Sequence, residues 1–139
     1  MSLQFTVYSL QLKQEHHEDE ALQDYRNLKV WSKADELALA VYKTTSLFPK
    51  EERYALTTQI RRSGASVGSN IAEGSGRSGN GDFGRFLHIA MGSACELESQ
   101  LLLARDLNFL NEESYLSLST QVNEVKRMLS SLLAKVKAS

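Results

Sequence analysis

The stretch "SGASVGS", Ser63 to Ser69, decides how this chain folds. Two glycines at about 1 kcal/mol each and three serines at about 0.5 kcal/mol make it about 3–4 kcal/mol poorer as helix than alanine would be. Propensity alone therefore reads it as a loop. The flanking residues argue against that: Leu56, Ile60, Gly64, Val67 and Ile71 keep one helical spacing across the stretch, and a loop has no reason to hold register. The spacing predicts a single helix running through the serines and glycines. Side chains this small let neighbouring helix backbones approach closely, and tight packing then offsets the propensity cost.

The pattern continues on both sides. Upstream, Val30, Ala34, Leu37, Val41 and Phe48 alternate by four and three with Thr44 in the remaining slot, and Trp31, Ala38, Tyr42 and Thr45 form a second stripe beside them. Phe48-Pro49 ends that helix, because a residue before proline is pushed out of the α region. Pro49, Glu51 and Glu52 then suit the first turn of the next helix. Downstream, Asp82 is a candidate N-cap for a helix carrying Leu87, Ala90, Ala94, Leu97, Leu101 and Ala104, with Phe83 and Phe86 in its first turns. Asn108 to Asn111 separates it from a last helix with Tyr115, Leu118, Val122, Val125, Leu129, Leu132 and Val136. Lys126, Arg127, Lys135 and Lys137 suit the negative end of that helix's dipole.

These spacings predict an all-α chain: an acidic N-terminal extension over residues 1–27, then an antiparallel up-and-down four-helix bundle over 28–139. The helices are expected at 28–47, 51–73, 82–108 and 112–137. In the extension, Tyr8, Leu10 and Leu12 alternate like a short strand, while Leu3, Val7 and Leu10 fit a helix equally.

Composition narrows the class. The chain has 139 residues, 42% hydrophobic and 24% charged, as in soluble globular domains. The lone Cys95 implies no disulfide scaffold, no apolar run approaches the roughly 20 residues a membrane span needs, and no basic, apolar leader opens the sequence. A cytoplasmic protein with no membrane partner is expected. Net charge is −1, split between five acids and two bases (−3) in residues 1–27 and +2 in the remainder.

"EGSGRSGNGDFGR", Glu73 to Arg85, contains G-x-G-x-x-G at Gly74, Gly76 and Gly79, with Glu96 and Glu98 about 20 residues on. A dinucleotide fingerprint needs a strand before the glycines and a second strand after the helix, and neither is predicted, so the match is incidental. Asn80 and Gly81 after Gly79 rule out a Walker motif. The glycines instead read as a mobile helix connection with Gly74 as the C-cap. Arg77, Arg85 and the first amides of the third helix are candidate anion contacts there.

Other chemistry is sparse. His88 and Cys95 lie seven residues, or about 10 Å, apart along one helix, too far to exchange a proton. His16, His17 and Glu20 resemble an opportunistic metal cluster rather than a specific site. Asn70 and Glu73 share a helical face and read as a polar pair satisfying backbone or neighbouring groups. Between residues 53 and 91, five arginines stand against Glu73 and Asp82, a local +3. Arg61, Arg62, Arg77 and Arg85 are the candidate nucleic-acid contacts.

Three stretches carry a family resemblance: "LKVWSKADELALAVY" (28–42), "FPKEERYALTTQIRRSGASVGSNIAEGSGR" (48–77) and "FGRFLHIAMGSACELESQLLLARDL" (83–107). Over about residues 25–137 the chain resembles the 23S rRNA intervening-sequence protein family. The most specific part is Gln59 to Gly74, with Gln59, Arg62, Ser66, Asn70, Ile71, Glu73 and Gly74 as the motif and packing positions. The resemblance implies four-helix bundles assembled into a cyclic homopentamer. Many such proteins are encoded within insertions in bacterial large-subunit rRNA genes, and no enzymatic activity is attached to the family. The accessory variability determinant (Avd) of diversity-generating retroelements is similar in fold, a basic pentameric barrel that binds nucleic acid and a reverse transcriptase. The present chain departs from it in charge.

The expected function is a non-enzymatic, homo-oligomeric bundle, a pentamer without cofactor or metal. It would act as a scaffold for RNA or a nucleic-acid-processing protein. The alternatives are a purely structural oligomer without nucleic acid and a small-molecule or metal-binding bundle, the latter without the paired E-x-x-H spacings that di-metal bundles use.

Overall fold

The computed structural model describes residues 24–138. Four long helices occur in it: α1 Lys29–Thr45, α2 Leu56–Ser75, α3 Asn80–Asp106 and α4 Glu112–Ala138. Short 3₁₀ turns at Tyr25–Asn27 and Lys50–Glu52 precede α1 and α2, and there is no strand among the described residues. The expected strand or helix of residues 1–23, and the His16, His17 and Glu20 cluster, lie outside the described residues.

Each helix packs on its chain neighbour, α1 also packs on α4, and the diagonal pairs stay apart, so four helices close into one bundle. Contacts fix the directions. Thr45 meets Arg61 while Gly68 faces Trp31; Ser66 meets Ser93 while Gly74 faces Phe86; Glu98 meets Lys126 while Gly84 faces Val136. Every consecutive pair is antiparallel.

The core is a single apolar cluster in which α2 contributes Leu56, Ile60, Val67 and Ile71, with Gly64 and Ser63 buried between them. The Ser63–Ser69 stretch is thus helix throughout. It is enclosed on two sides, by α1 at Gly64 and Gly68 and by α3 at Ser66. The stripe assigned to α3 is buried as expected, and Leu118, Val122, Val125 and Leu129 form its counterpart on α4. On α1 the slot expected for Thr44 is taken by Thr45, 3% exposed, whose hydroxyl donates to the Val41 carbonyl at 2.7 Å. That internal hydrogen bond makes a hydroxyl tolerable in the core.

The ends of α1, the end of α3 and the end of α4 fall within two residues of expectation, and three other boundaries differ for a physical reason. α2 starts at Leu56 rather than 51 because the backbone at Ala55 (φ −119°, ψ −105°) breaks the run between the 3₁₀ turn and the helix. The Glu52 carboxylate still serves that helix, accepting from the Leu56 N–H at 3.4 Å. α3 starts two residues before Asp82, capped by Gly79 at φ +98°, a conformation glycine enters without the steric cost of a Cβ. Asp82 sits in the first turn and Gly79 replaces it as the cap. Finally, α2 continues through Gly74 to Ser75, with Gly76 as the cap. Gly74 is not a C-cap: a Cβ there would stand 2.7 Å from the Cβ of Phe86, so the glycine lets α3 cross directly over α2.

At the other end, α3 closes with Asn108 at φ +63°. The Asn108 N–H donates to the Arg105 carbonyl and the Phe109 N–H to the Ala104 carbonyl, the paired bonds of a Schellman motif. The Asn111 side chain then accepts from the Ser114 N–H at 2.8 Å and caps α4.

Candidate functional site

The four candidate arginines do not form one patch. Arg61 and Arg77 are separated by sixteen residues of α2 and its turn, about 24 Å at helical rise. Adjacent Arg61 and Arg62 face different ways. Arg61 lies at the α1 seam: its Nε donates to Thr45 Oγ1 at 2.8 Å, its Nη2 donates to the Tyr42 carbonyl at 3.2 Å, and its guanidinium sits 4.7 Å from the Tyr42 ring centroid. It therefore clasps the C-terminal turn of α1, where the Tyr42 carbonyl also accepts from the Ser46 N–H and the Thr45 hydroxyl. Arg62 is exposed and has no ion pair among the described residues.

Arg77 and Arg85 do converge. Their guanidiniums lie 5.0 and 4.5 Å from the centroid of one ring, Phe86, which gathers them across the α2–α3 turn. Each also has an acid: Arg77 pairs with Glu73 at 2.6 Å and Arg85 with Asp82 at 3.7 Å. The corner is thus locally neutral. Phe86 carried no sequence signal as a functional residue, since its position in the third helix explains it equally as core.

The three glycines of G-x-G-x-x-G occupy a helix interior, a C-cap and an N-cap, with no strand leading in. Asn70 and Glu73 are not partners. Asn70 Nδ2 donates to the Ser66 carbonyl at 2.8 Å and to Ser66 Oγ at 2.9 Å, and Ser66 shares a 2.9 Å hydrogen bond with Ser93 on α3. Asn70, Ser66 and Ser93 form a polar clasp on the α2–α3 seam, while Glu73 faces solvent with Arg77. Gln59 is exposed and Ile71 lies fully in the core.

The outward sides of the helices carry a second pattern. On α3 and its C-cap, Ile89, Glu96, Leu103 and Leu107 share one spacing, with the half-buried Ser93 and Gln100 in the slots between them, and the three apolar members are 43%, 49% and 47% exposed. On α2, Ala65, Ser69 and Ala72 follow the same spacing with small side chains, and Arg62 stands at the N-terminal end of that strip. Leu39 of α1 is 58% exposed.

A profile of the 23S rRNA-intervening sequence protein family matches residues 26–131. The chain belongs to that family. Among solved structures it is similar to a protein of unknown function from the S23 ribosomal protein family of Bacteroides thetaiotaomicron, at 30% identity and a TM-score of 0.68. The match covers 75% of this chain and 97% of that one. No curated protein matches the chain.

In this member of the 23S rRNA-intervening sequence protein family, the Gln59–Gly74 segment does three jobs. Arg61 secures α1, Asn70 and Ser66 secure α3, and Gly74 admits Phe86. The remaining positions, Arg62, Ala65 and Ser69, stay on the surface. Among the described residues no three His, Cys, Asp or Glu side chains group as metal ligands. No helix there is long and apolar enough to cross a membrane.

Proposed function

We propose that this chain is a non-enzymatic subunit of a homo-oligomeric scaffold, a cyclic pentamer, whose subunits meet through the outward faces of α2 and α3. The observation that carries the reading is the exposed apolar stripe of Ile89, Leu103 and Leu107 on α3, together with the small-residue strip of Ala65, Ser69 and Ala72 on α2, which lies level with Ile89. A lone bundle needs one buried seam per helix, and a second apolar stripe at helical spacing is surface that another subunit can cover. Small side chains on α2 leave room for a neighbouring helix to lie close. A ring needs two different complementary surfaces on each subunit, and Leu39 on α1 supplies apolar area away from α3.

Light scattering tests this directly. The expected mass is a multiple of the 15.5 kDa chain, five for the pentamer, and Leu103→Glu should reduce it without unfolding the bundle. A monomer at micromolar concentration removes the proposal.

The scaffold's partner, RNA or a nucleic-acid-processing protein, is the second part of the reading. It rests on family membership and on Arg62, the exposed arginine at the N-terminal end of the α2 strip, outside the Ala65–Ala72 contact, which assembly would repeat around a ring. Each arginine that neutralises a phosphate contributes about −0.9 to the log-log salt slope of RNA affinity. Wild type should therefore show a slope that Arg62→Ala reduces. Absent or salt-indifferent binding discards the RNA part and leaves the scaffold.

A further inference from the structure

The end of the bundle where α1 hands over to α2 holds a hollow of about 340 Å³, lined by residues from three segments. Lys50 reaches it from the 3₁₀ turn, Arg53 from the link to α2 and Arg61 from α2 itself, with Thr45, Ser46 and Thr57 among the remaining lining residues. No acid lines it. Nearby Glu52 is turned to the start of α2 by its contact with the Leu56 N–H, and Glu51 is exposed outside the lining.

Three cations line this hollow without an acid, as Lys29, Arg127 and Lys135 line another where α1 meets α4, and the fixed position of Arg61 sets this one apart. Arg26, Arg77, Arg85, Arg105, Lys33 and Lys126 all have carboxylate partners, whereas Lys50, Arg53 and Arg61 have none among the described residues. Arg61 is held in place by Thr45 and Tyr42, which use two of its five N–H donors and leave three. Its position is therefore set before any ligand arrives, so little ordering entropy remains to be lost there. Thr57, only 6% exposed, has a hydroxyl without a hydrogen-bond partner in the same wall. Buried polar groups without partners are rare and call for an explanation.

We infer that this hollow is a phosphate-binding site for a small polyanion of the pyrophosphate class, with Arg61 as the fixed fork and Lys50 and Arg53 closing over the ligand. Planar guanidinium groups match the oxygens of a phosphate, and the two mobile cations add charge without a fixed geometry. The inference is independent of assembly and of RNA contact at Arg62.

The test is titration of the full chain with inorganic pyrophosphate, followed by amide shifts of Ser46, Lys50 and Arg53 and by calorimetry. Sodium chloride at matched ionic strength and a short single-stranded RNA serve as separate arms. Saturable one-to-one binding confined to these amides is expected, with about a tenfold loss in Arg53→Ala and in Lys50→Ala. Neither of those side chains has a partner within the described bundle, so both variants should keep the wild-type fold and thermal midpoint. Shifts reproduced by chloride, shifts centred on Arg77 and Arg85, response to RNA but not to pyrophosphate, or variants that bind as wild type would each overturn the site.

Discussion

Gly68 and Gly74 stand six residues apart on α2 and read alike in the sequence, yet the two seams they face are built differently. At the α1 seam, a Cβ on Gly68 would meet Trp31 and Ala34 at 3.6–3.8 Å, ordinary van der Waals distance. At the α3 seam, a Cβ on Gly74 would stand 2.7 Å from Phe86 Cβ and 3.1 Å from Phe83 Cδ1. Phe86 Cβ is fixed to the α3 backbone, so relief there requires a helix to move. One glycine is small because a backbone must pass; the other sits where a side chain would fit. A run of small residues therefore does not by itself report close helix approach.

The largest effect follows from that contrast. Gly74→Ala should gain up to about 1 kcal/mol of helix propensity and lose more to overpacking, for a net loss of about 2 kcal/mol. Urea unfolding with an unchanged m-value measures it. A variant as stable as wild type would show that α2 and α3 cross less closely at Phe86 than described.

Next in size is the difference between adjacent arginines. Arg61→Ala removes two hydrogen bonds to the end of α1 and should cost about 1 kcal/mol. Arg62→Ala, on the exposed face, should stay within about 0.5 kcal/mol of wild type. Equal losses at the two positions would erase the division of α2 into a clasping side and a free side.

Periodicity made most of the bundle legible. Leu87, Ala90, Ala94, Leu97, Leu101 and Ala104 are all buried as their spacing requires, and Ile60, Gly64, Val67 and Ile71 carry α2 through a stretch that propensity reads as loop. Backbone breaks were less visible. Pro49 and two glutamates resemble a helix start, but the 3₁₀ turn and the break at Ala55 postpone it, and nothing in the residue types announces that geometry. The site was legible only in part. Charge counting found the arginines but not their partners, because Tyr42 and Thr45 lie nineteen and sixteen residues from Arg61 and are joined to it by the fold. Helical phase held a usable clue: Arg61 lies three residues before Gly64, on the edge of the buried stripe, whereas Arg62 lies beyond it.

The smallest expected effect sharpens the opening contrast from its other side. A glycine in a helix interior is about 0.5–1 kcal/mol worse than alanine, chiefly because the unfolded chain has more conformations to lose. At Gly68 the added methyl meets the Trp31 ring and the Ala34 methyl at contact distance, without overlap. It would also cover apolar surface at the seam where Trp31 packs edge-on against Tyr25. Gly68→Ala should therefore stabilise the protein by about 0.5–1 kcal/mol, read as a higher urea midpoint at constant m. If it destabilises instead, the α1 seam is as tight as the α3 seam, and the packing of glycines against both neighbours, rather than helical phase alone, holds Ser63 to Ser69 in place.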